Sequence, residues 1–235
     1  MITFPNAKVN LGLYVTERRP DGYHNLETIF CPVGLADALE ILPSASFAFH
    51  TSGLDTGGDA EANLVVRAFR LLQQEFHLPL VKIHLHKVIP SGAGLGGGSS
   101  DAAFTLKMVN ELFQLGLSTE QLESYAATLG ADCPFFIRNK PALATGRGEV
   151  LTPFLIDLSG FQTVIVKPPF MVSTAMAYGL VTPRIPQYHP WETLLLPPEK
   201  WQGLLKNDFE IPVFAKFPEI EAIKTAMITH GATYA

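Results

Sequence analysis

The densest chemistry in the chain lies in Pro90-Ser91-Gly92-Ala93-Gly94-Leu95-Gly96-Gly97-Gly98-Ser99-Ser100-Asp101. Five of the seven positions from Gly92 to Gly98 are glycine, where an ordinary protein carries about 7%. Without Cβ atoms, backbone N–H groups approach an anion closely and turn through positive φ, and a helix that starts at the end of the loop adds its partial positive charge. Such a loop suits a di- or triphosphate. A merely flexible linker is the alternative, and it fits poorly between a clear strand and a capped helix.

Two familiar phosphate-binding patterns do not apply. Gly92, Gly94 and Gly97 have dinucleotide-fingerprint spacing, but that unit needs a parallel strand after its helix, and here Ser118 opens another helix. A Walker loop ends in lysine and then serine or threonine, whereas Gly98 is followed by Ser99 and Ser100. Charge compensation therefore falls to Mg²⁺ and to side chains elsewhere. Ser99 or Ser100 could offer such a metal a hydroxyl, with helix capping as the plainer role.

Other reactive side chains are scattered. Asp132 lies between a helix stop at Gly130 and Pro134, beside the apolar run Phe135-Phe136-Ile137; it is either a partly desolvated functional carboxylate or an exposed loop residue. Lys8 and Asn10 share the polar face of a first strand, where a solvated lysine is the plain expectation. His84 and His86 share one strand face, but no third metal ligand follows, so a solvated face accounts for them better. Cys31 and Cys133 are far apart and read as free thiols in a reducing compartment.

The elements that must position these groups follow from periodicity. Lys8 to Val15 alternates, placing Val9, Leu11, Leu13 and Val15 on one face of a half-buried strand. Pro20-Asp21-Gly22 predicts a hairpin turn into a strand carrying Leu26, Thr28 and Phe30, with Tyr23 and His24 just past the turn. Asp37–Leu42 and Ser46–His50 predict two more strands, and Asn63 caps a helix with Val65, Ala68, Leu72 and Phe76 on one side. This segment reads as an antiparallel sheet feeding a helix. Val81 to Val88 alternates with Val81, Ile83 and Leu85 inward. Helices follow from about Ser99 to Phe113 and from a Ser118/Gln121 capping box to Gly130. Ala142 to Phe154 predicts a hairpin around Gly146-Arg147-Gly148, and Thr163–Val166 a strand. Seven of eighteen prolines fall between Lys167 and Lys200, predicting short helices and shaped loops. Pro218 and Gly231 frame a last helix suited to packing on a sheet, and Ala232–Ala235 begins a further strand. A boundary near Ser159 gives domains 1–159 and 160–235.

The chain has 235 residues, 47% hydrophobic and 17% charged, with 17 Lys plus Arg against 22 Asp plus Glu. That excludes bulk disorder and any broad basic surface for a nucleic-acid backbone. No signal peptide or apolar run of about 18 residues is visible, so a cytoplasmic protein independent of membranes is expected.

Pro90 to Ala103 resembles the second signature of the GHMP small-molecule kinases. Asn6-Ala7-Lys8-Val9-Asn10-Leu11, Arg19-Pro20-Asp21-Gly22-Tyr23-His24 and Leu129-Gly130-Ala131-Asp132-Cys133-Pro134-Phe135-Phe136 extend the resemblance from Ile2 to the last residue. They narrow it to the branch acting on a cytidine-diphosphate-linked polyol of the non-mevalonate isoprenoid route. The resemblance implies an α+β, two-domain fold: an antiparallel sheet domain with a left-handed crossover and a ferredoxin-like second domain. It implies transfer from ATP, with Mg²⁺, to a hydroxyl of the methylerythritol part, giving the 2-phosphate and ADP.

By the same resemblance Asp132 is the base and Lys8 faces it. A lysine within about 4 to 6 Å would hold the aspartate ionised. Residues 90–100 of the loop, with Asn63, Leu64 and Lys87 on the adenine and ribose side, would bind ATP. Asn10, Tyr23, His24, Thr174 and Tyr178 would bind the substrate, Tyr23 and Tyr178 flanking the cytosine; for Tyr178 a core aromatic is an equal alternative. A monomer or weak homodimer is expected. A homoserine- or mevalonate-type kinase, or a nucleotide sensor without turnover, remains an alternative. A third glycine-rich signature is expected after Ala235, and with it a longer natural polypeptide.

Overall fold

The computed structural model describes residues 1–55 and 57–235. They form two compact units, Met1–Val9 with Pro32–Lys140 and Asn10–Cys31 with Pro141–Ala235. The expected boundary near Ser159 divides the chain as sequence domains. The compact units are cut elsewhere, because the hairpin formed by residues 10–31 groups with the C-terminal part of the chain.

The first unit contains β1 (Ile2–Thr3), the start of β2 (Asn6–Arg18), the end of β3 (His24–Ala36), β4 (Ala38–Pro43) and β5 (Ala48–Gly53). These are followed by α1 (Leu64–Phe76), β6 (Val81–Lys87), α2 (Gly97–Leu112), α3 (Thr119–Leu129) and α4 (Cys133–Arg138). One sheet has the order β1-β4-β6-β5. β4 runs antiparallel to β1 and β6, but β5 and β6 are parallel, with His50 opposite His84. The purely antiparallel reading of this segment is corrected here: two parallel strands need a crossover, and α1 supplies it.

β6 shows why this sheet has one wet face. Val81, Ile83 and Leu85 are buried, while Lys82, His84 and His86 are exposed. His84 Nε2 and His86 Nδ1 each lie 2.9 Å from Ser52 Oγ, and among the described residues no group of three or more His, Cys, Asp or Glu is placed to hold a metal. On the dry side, α1 buries Val65, Val66, Ala68, Phe69 and Leu72, and α2 packs against α1, α3 and α4. The Ser118/Gln121 capping box forms as the sequence predicts. α2 begins at Gly97 rather than near Ser99, since Gly96 is the last residue with left-handed φ (+69°) before the helix.

The second unit holds the Asn10–Arg18 part of β2 and the His24–Cys31 part of β3, joined through the turn at Pro20-Asp21-Gly22. β7 (Ala142–Thr145) and β8 (Val150–Pro153) complete a sheet of order β2-β3-β7-β8. α5 (Thr174–Leu180), α6 (Pro190–Leu194), α7 (Glu210–Lys216) and α8 (Pro218–Thr229) follow.

Three expectations are revised. The first strand is not half-buried: Leu11 to Val15 are all buried, because Gly12 (φ +66°) breaks the alternation and a later stretch covers the strand. In that stretch Leu13 N–H donates to Lys206 O and Asp208 N–H to Leu13 O, both at 2.8 Å, and Val15 N–H donates to Asp208 Oδ2 at 2.9 Å. Neither Thr163–Val166 nor Ala232–Ala235 forms a strand; Val164 and Val166 are exposed, and alternation alone makes no strand without a ladder partner. The last helix buries no residue on a sheet. It pairs with α7, across which Lys224 donates to Glu210.

Gly12 is the tightest packing point of the second unit. A Cβ there would lie 2.7 Å from Leu205 Cδ1, on top of the positive φ. Gly12→Ala is therefore expected to destabilise the fold by about 1–3 kcal/mol, and by less when it is made in a Leu205→Ala background. Urea unfolding of the wild type, the two single variants and the double variant checks this, and an equal Gly12→Ala loss in both backgrounds would refute the packing account.

Candidate active site

In the first unit a cavity of about 220 Å³ is walled by Leu64, Lys87, Ile89 and the continuous run from Pro90 to Ser99. Gly92, Gly94 and Gly96 take φ of +65°, +74° and +69°. The end of the loop rests on the neighbouring elements with no side chain between. A Cβ on Gly96 would meet Phe136 Cζ at 2.9 Å and Lys8 Cγ at 3.2 Å, and one on Gly97 would meet Ile89 Cγ2 at 2.8 Å. Lys8 N–H donates to Leu95 O at 2.9 Å, so β2 grips the loop by its backbone.

Lys8 is buried, not solvated, and its Nζ stands 3.6 Å from Asp132 Oδ2. Burial lowers the Lys8 pKa below its ordinary value; the Asp132 carboxylate opposes this without cancelling it. Asp132 occupies the N-cap position of α4 but has helical φ/ψ (−84°, −13°), and its side chain caps no helix N–H. About a third of that side chain is open to solvent, so the carboxylate is both reachable and held by a buried ammonium. Asn139, the left-handed C-cap of α4, donates from Nδ2 to Asn6 Oδ1 at 2.6 Å. This ties the helix after Asp132 to the strand two residues before Lys8, a contact that no local pattern encodes.

Lys87 lines the cavity, yet its ammonium is committed below the loop, to Asp37 Oδ2 at 2.5 Å and Asp101 Oδ2 at 2.8 Å. All three side chains are buried. Burial, reinforced by Asp37 and opposed by Lys87, pushes the Asp101 carboxyl up to about 7. Neither aspartate stood out in the sequence, although the inward phase of β6 extends to Lys87 and a buried lysine demands acidic partners.

The remaining candidates divide. Leu64 lines the cavity, whereas Asn63 accepts the Val65 N–H at 2.9 Å as the cap of α1 and is not part of the wall. Ser99 lines the cavity; Ser100 is fully buried, and its Oγ has no hydrogen-bond partner. Of the two serines, Ser99 belongs to the cavity wall and Ser100 does not. Cys133 is a buried thiol pushed up to about 11, chiefly by burial.

In the second unit His24 and Tyr178 stack at 5.2 Å between centroids, 15° from parallel, and Phe209 meets Tyr178 edge-on at 4.9 Å. Tyr23 is more than half exposed, with the Arg147 guanidinium 5.1 Å above its ring. Tyr178 is thus paired with His24. Thr174 is exposed at the start of α5, and Asn10 is half-buried on β2.

A phosphate-sized glycine cradle with an adjoining Lys–Asp pair on this fold defines a small-molecule kinase class, and the comparisons agree. Residues 63–140 match the GHMP kinases N terminal domain. The whole chain is 55% identical to the 4-diphosphocytidyl-2-C-methyl-D-erythritol kinase of Bacteroides thetaiotaomicron and 48% identical to that of Parabacteroides distasonis, spanning 87% of each relative. A crystal structure of 4-(cytidine 5'-diphospho)-2C-methyl-D-erythritol kinase, 35% identical, superposes with a TM-score of 0.81 over 98% of this chain and 84% of the other. The chain belongs to the 4-diphosphocytidyl-2-C-methyl-D-erythritol kinase family of the GHMP kinases.

The absence of a Cβ at Gly96 is structural as well as functional. Gly96→Val is expected to lower the melting temperature by several degrees and to abolish ATP binding, because the added side chain strikes Phe136 and Lys8 before it reaches any phosphate. Thermal melts and calorimetry check both effects; unchanged ATP affinity would remove the loop from the phosphate site.

Proposed function

We infer that the protein transfers the γ-phosphoryl group of ATP to a hydroxyl of 4-diphosphocytidyl-2-C-methyl-D-erythritol, giving the 2-phosphate and ADP in the non-mevalonate route to isoprenoid precursors. The observation that carries this reading is the buried Lys8, whose backbone N–H donates to Leu95 O of the glycine loop at 2.9 Å and whose ammonium stands 3.6 Å from Asp132 Oδ2. The family relatives supply the substrate's identity. At 14% identity, the likeness to a homoserine kinase from Cytophaga hutchinsonii concerns the fold alone.

The backbone N–H groups of residues 91–99 bind the triphosphate, and Leu64 and Lys87 line the same cavity. Mg²⁺ would neutralise charge on the transferring group, held by the phosphates and by Ser99 rather than by a protein cage. Asp132 orients the acceptor hydroxyl and accepts its proton. Phosphoryl transfer passes through a loose transition state in most analyses, so the hydroxyl needs little prior deprotonation. Lys8 holds the carboxylate in place and, being buried, offers its charge in a poorly screened setting. Tyr23 and His24 are assigned to the cytosine, with Tyr178 supporting His24 through their stack. Asn10 and Thr174 are assigned to the same substrate.

Asp132→Asn and Lys8→Met should each lower kcat by about a hundredfold or more while ATP binding survives. Near-normal turnover in Asp132→Asn, measured by coupled ADP release, would remove that residue from the chemistry. Because burial lowers the Lys8 pKa, deprotonation on raising the pH should remove its charge below the ordinary lysine range. The alkaline limb of kcat should then lie below pH 10.5, the ordinary lysine pKa, and move upward in Lys8→Arg. Tyr23→Ala should raise KM for the cytidine substrate, by about 1–3 kcal/mol of lost stacking, and leave KM for ATP unchanged; equal weakening of both would indicate a structural role. ADP formation with the cytidine-linked polyol, compared with mevalonate and homoserine, tests the assignment as a whole.

A further inference from the structure

We propose that Asp37 and Asp101 are positioning residues for the nucleotide: through the single ammonium of Lys87 they fasten both ends of the glycine loop and so hold the phosphate cradle in its binding geometry. The inference rests on the kinase reading above and extends it to two residues outside the cavity wall.

At the upstream end, Asp37 Oδ1 accepts the N–H groups of Val88 at 2.6 Å and Ile89 at 2.8 Å, the two residues immediately before Pro90. Its other oxygen accepts from Lys87 Nζ at 2.5 Å. Asp37 is itself fixed, since its N–H donates to Pro5 O at 2.8 Å. At the downstream end, Asp101 in the second turn of α2 accepts from the same ammonium at 2.8 Å. Residues 90–96 are therefore a short loop whose two stems meet at one buried cation. Lys87 packs directly beneath the loop: a Cβ added to Gly97 would stand 3.3 Å from its Nζ.

Glycines make the cradle possible but cannot hold it still, because each carries the largest backbone entropy of any residue. A loop with five glycines in seven positions would sample many shapes, and an anion would have to order it at a loss of affinity. A buried ion-pair network is an expensive element whose removal from one side leaves uncompensated charge. Placing it under the most flexible segment of the unit is what pre-organisation of that segment requires. Since Asp37 and Asp101 do not reach the cavity, their effect must pass through Lys87 and the loop backbone.

The test uses the full chain and two readouts: calorimetric titration with ADP, and steady-state kinetics with ATP and the cytidine-linked polyol. Asp101→Ala should weaken ADP binding and raise KM for ATP by about tenfold, leaving kcat and KM for the polyol within about twofold. Asp101→Asn, whose amide oxygen can still accept from Lys87, should restore most of the affinity. Asp101→Ser, polar but too short to reach the ammonium, should behave like the alanine variant and replaces it if that variant does not fold. ADP affinity equal to wild type in Asp101→Ala or Asp101→Ser would overturn the proposal, as would a parallel loss in kcat and both KM values. If the wild-type protein bound no ADP, the kinase reading itself would fall, and this inference with it.

Discussion

At Gly96 and Gly97 the chain runs so close to Phe136, Lys8 and Ile89 that no Cβ fits without something giving way. That contact decides where the loop can lie, because it presses bare backbone onto β2, α4 and Ile89, just past the end of β6, at once. It also brings the glycine loop and Lys8 together: Lys8 lies against the loop at Cγ, donates to Leu95 O through its backbone, and reaches Asp132 with its ammonium. Larger residues at these positions would push the loop outward and separate the cradle from the carboxylate.

The first unit buries two lysines, and their surroundings give them different tasks. Lys8 has one carboxylate partner at 3.6 Å, partly open to solvent, and burial lowers its pKa. Lys87 has two carboxylates within 2.8 Å, both buried, so its charge is already matched. The proposed roles follow these surroundings: Lys8 beside a partly solvent-exposed carboxylate is assigned to the chemistry, and Lys87 between two buried ones to the architecture.

Much of this was readable in the residues, for identifiable reasons. Glycine density between a strand and a capped helix located the cradle, since few other roles need five missing side chains together. The β6 alternation located the wet and dry faces, and its inward phase includes Lys87, whereas the two aspartates that meet its ammonium lie outside β6 and are not encoded by that pattern. Lys8 and Asp132 are more than a hundred residues apart, and only the resemblance to a kinase family paired them; no local pattern encodes such a contact. The parallel pairing of β5 with β6 was hidden because alternation shows that a strand exists but not its direction. Thr163–Val166 failed for the complementary reason, having strand-like residues and no ladder to join. Gly12 interrupts β2 through a backbone angle, and the later stretch covering that strand lies far away in sequence, so its two-sided burial was not legible either.

The proposed activity moves a phosphoryl group from ATP onto a hydroxyl of the polyol. Phosphorus-31 NMR of the protein with ATP, Mg²⁺ and 4-diphosphocytidyl-2-C-methyl-D-erythritol tests it most directly. The account predicts ADP and a new phosphomonoester resonance growing in equal amounts, with the diphosphate signals of the polyol retained. ADP accompanied by inorganic phosphate, with no new ester, would contradict it.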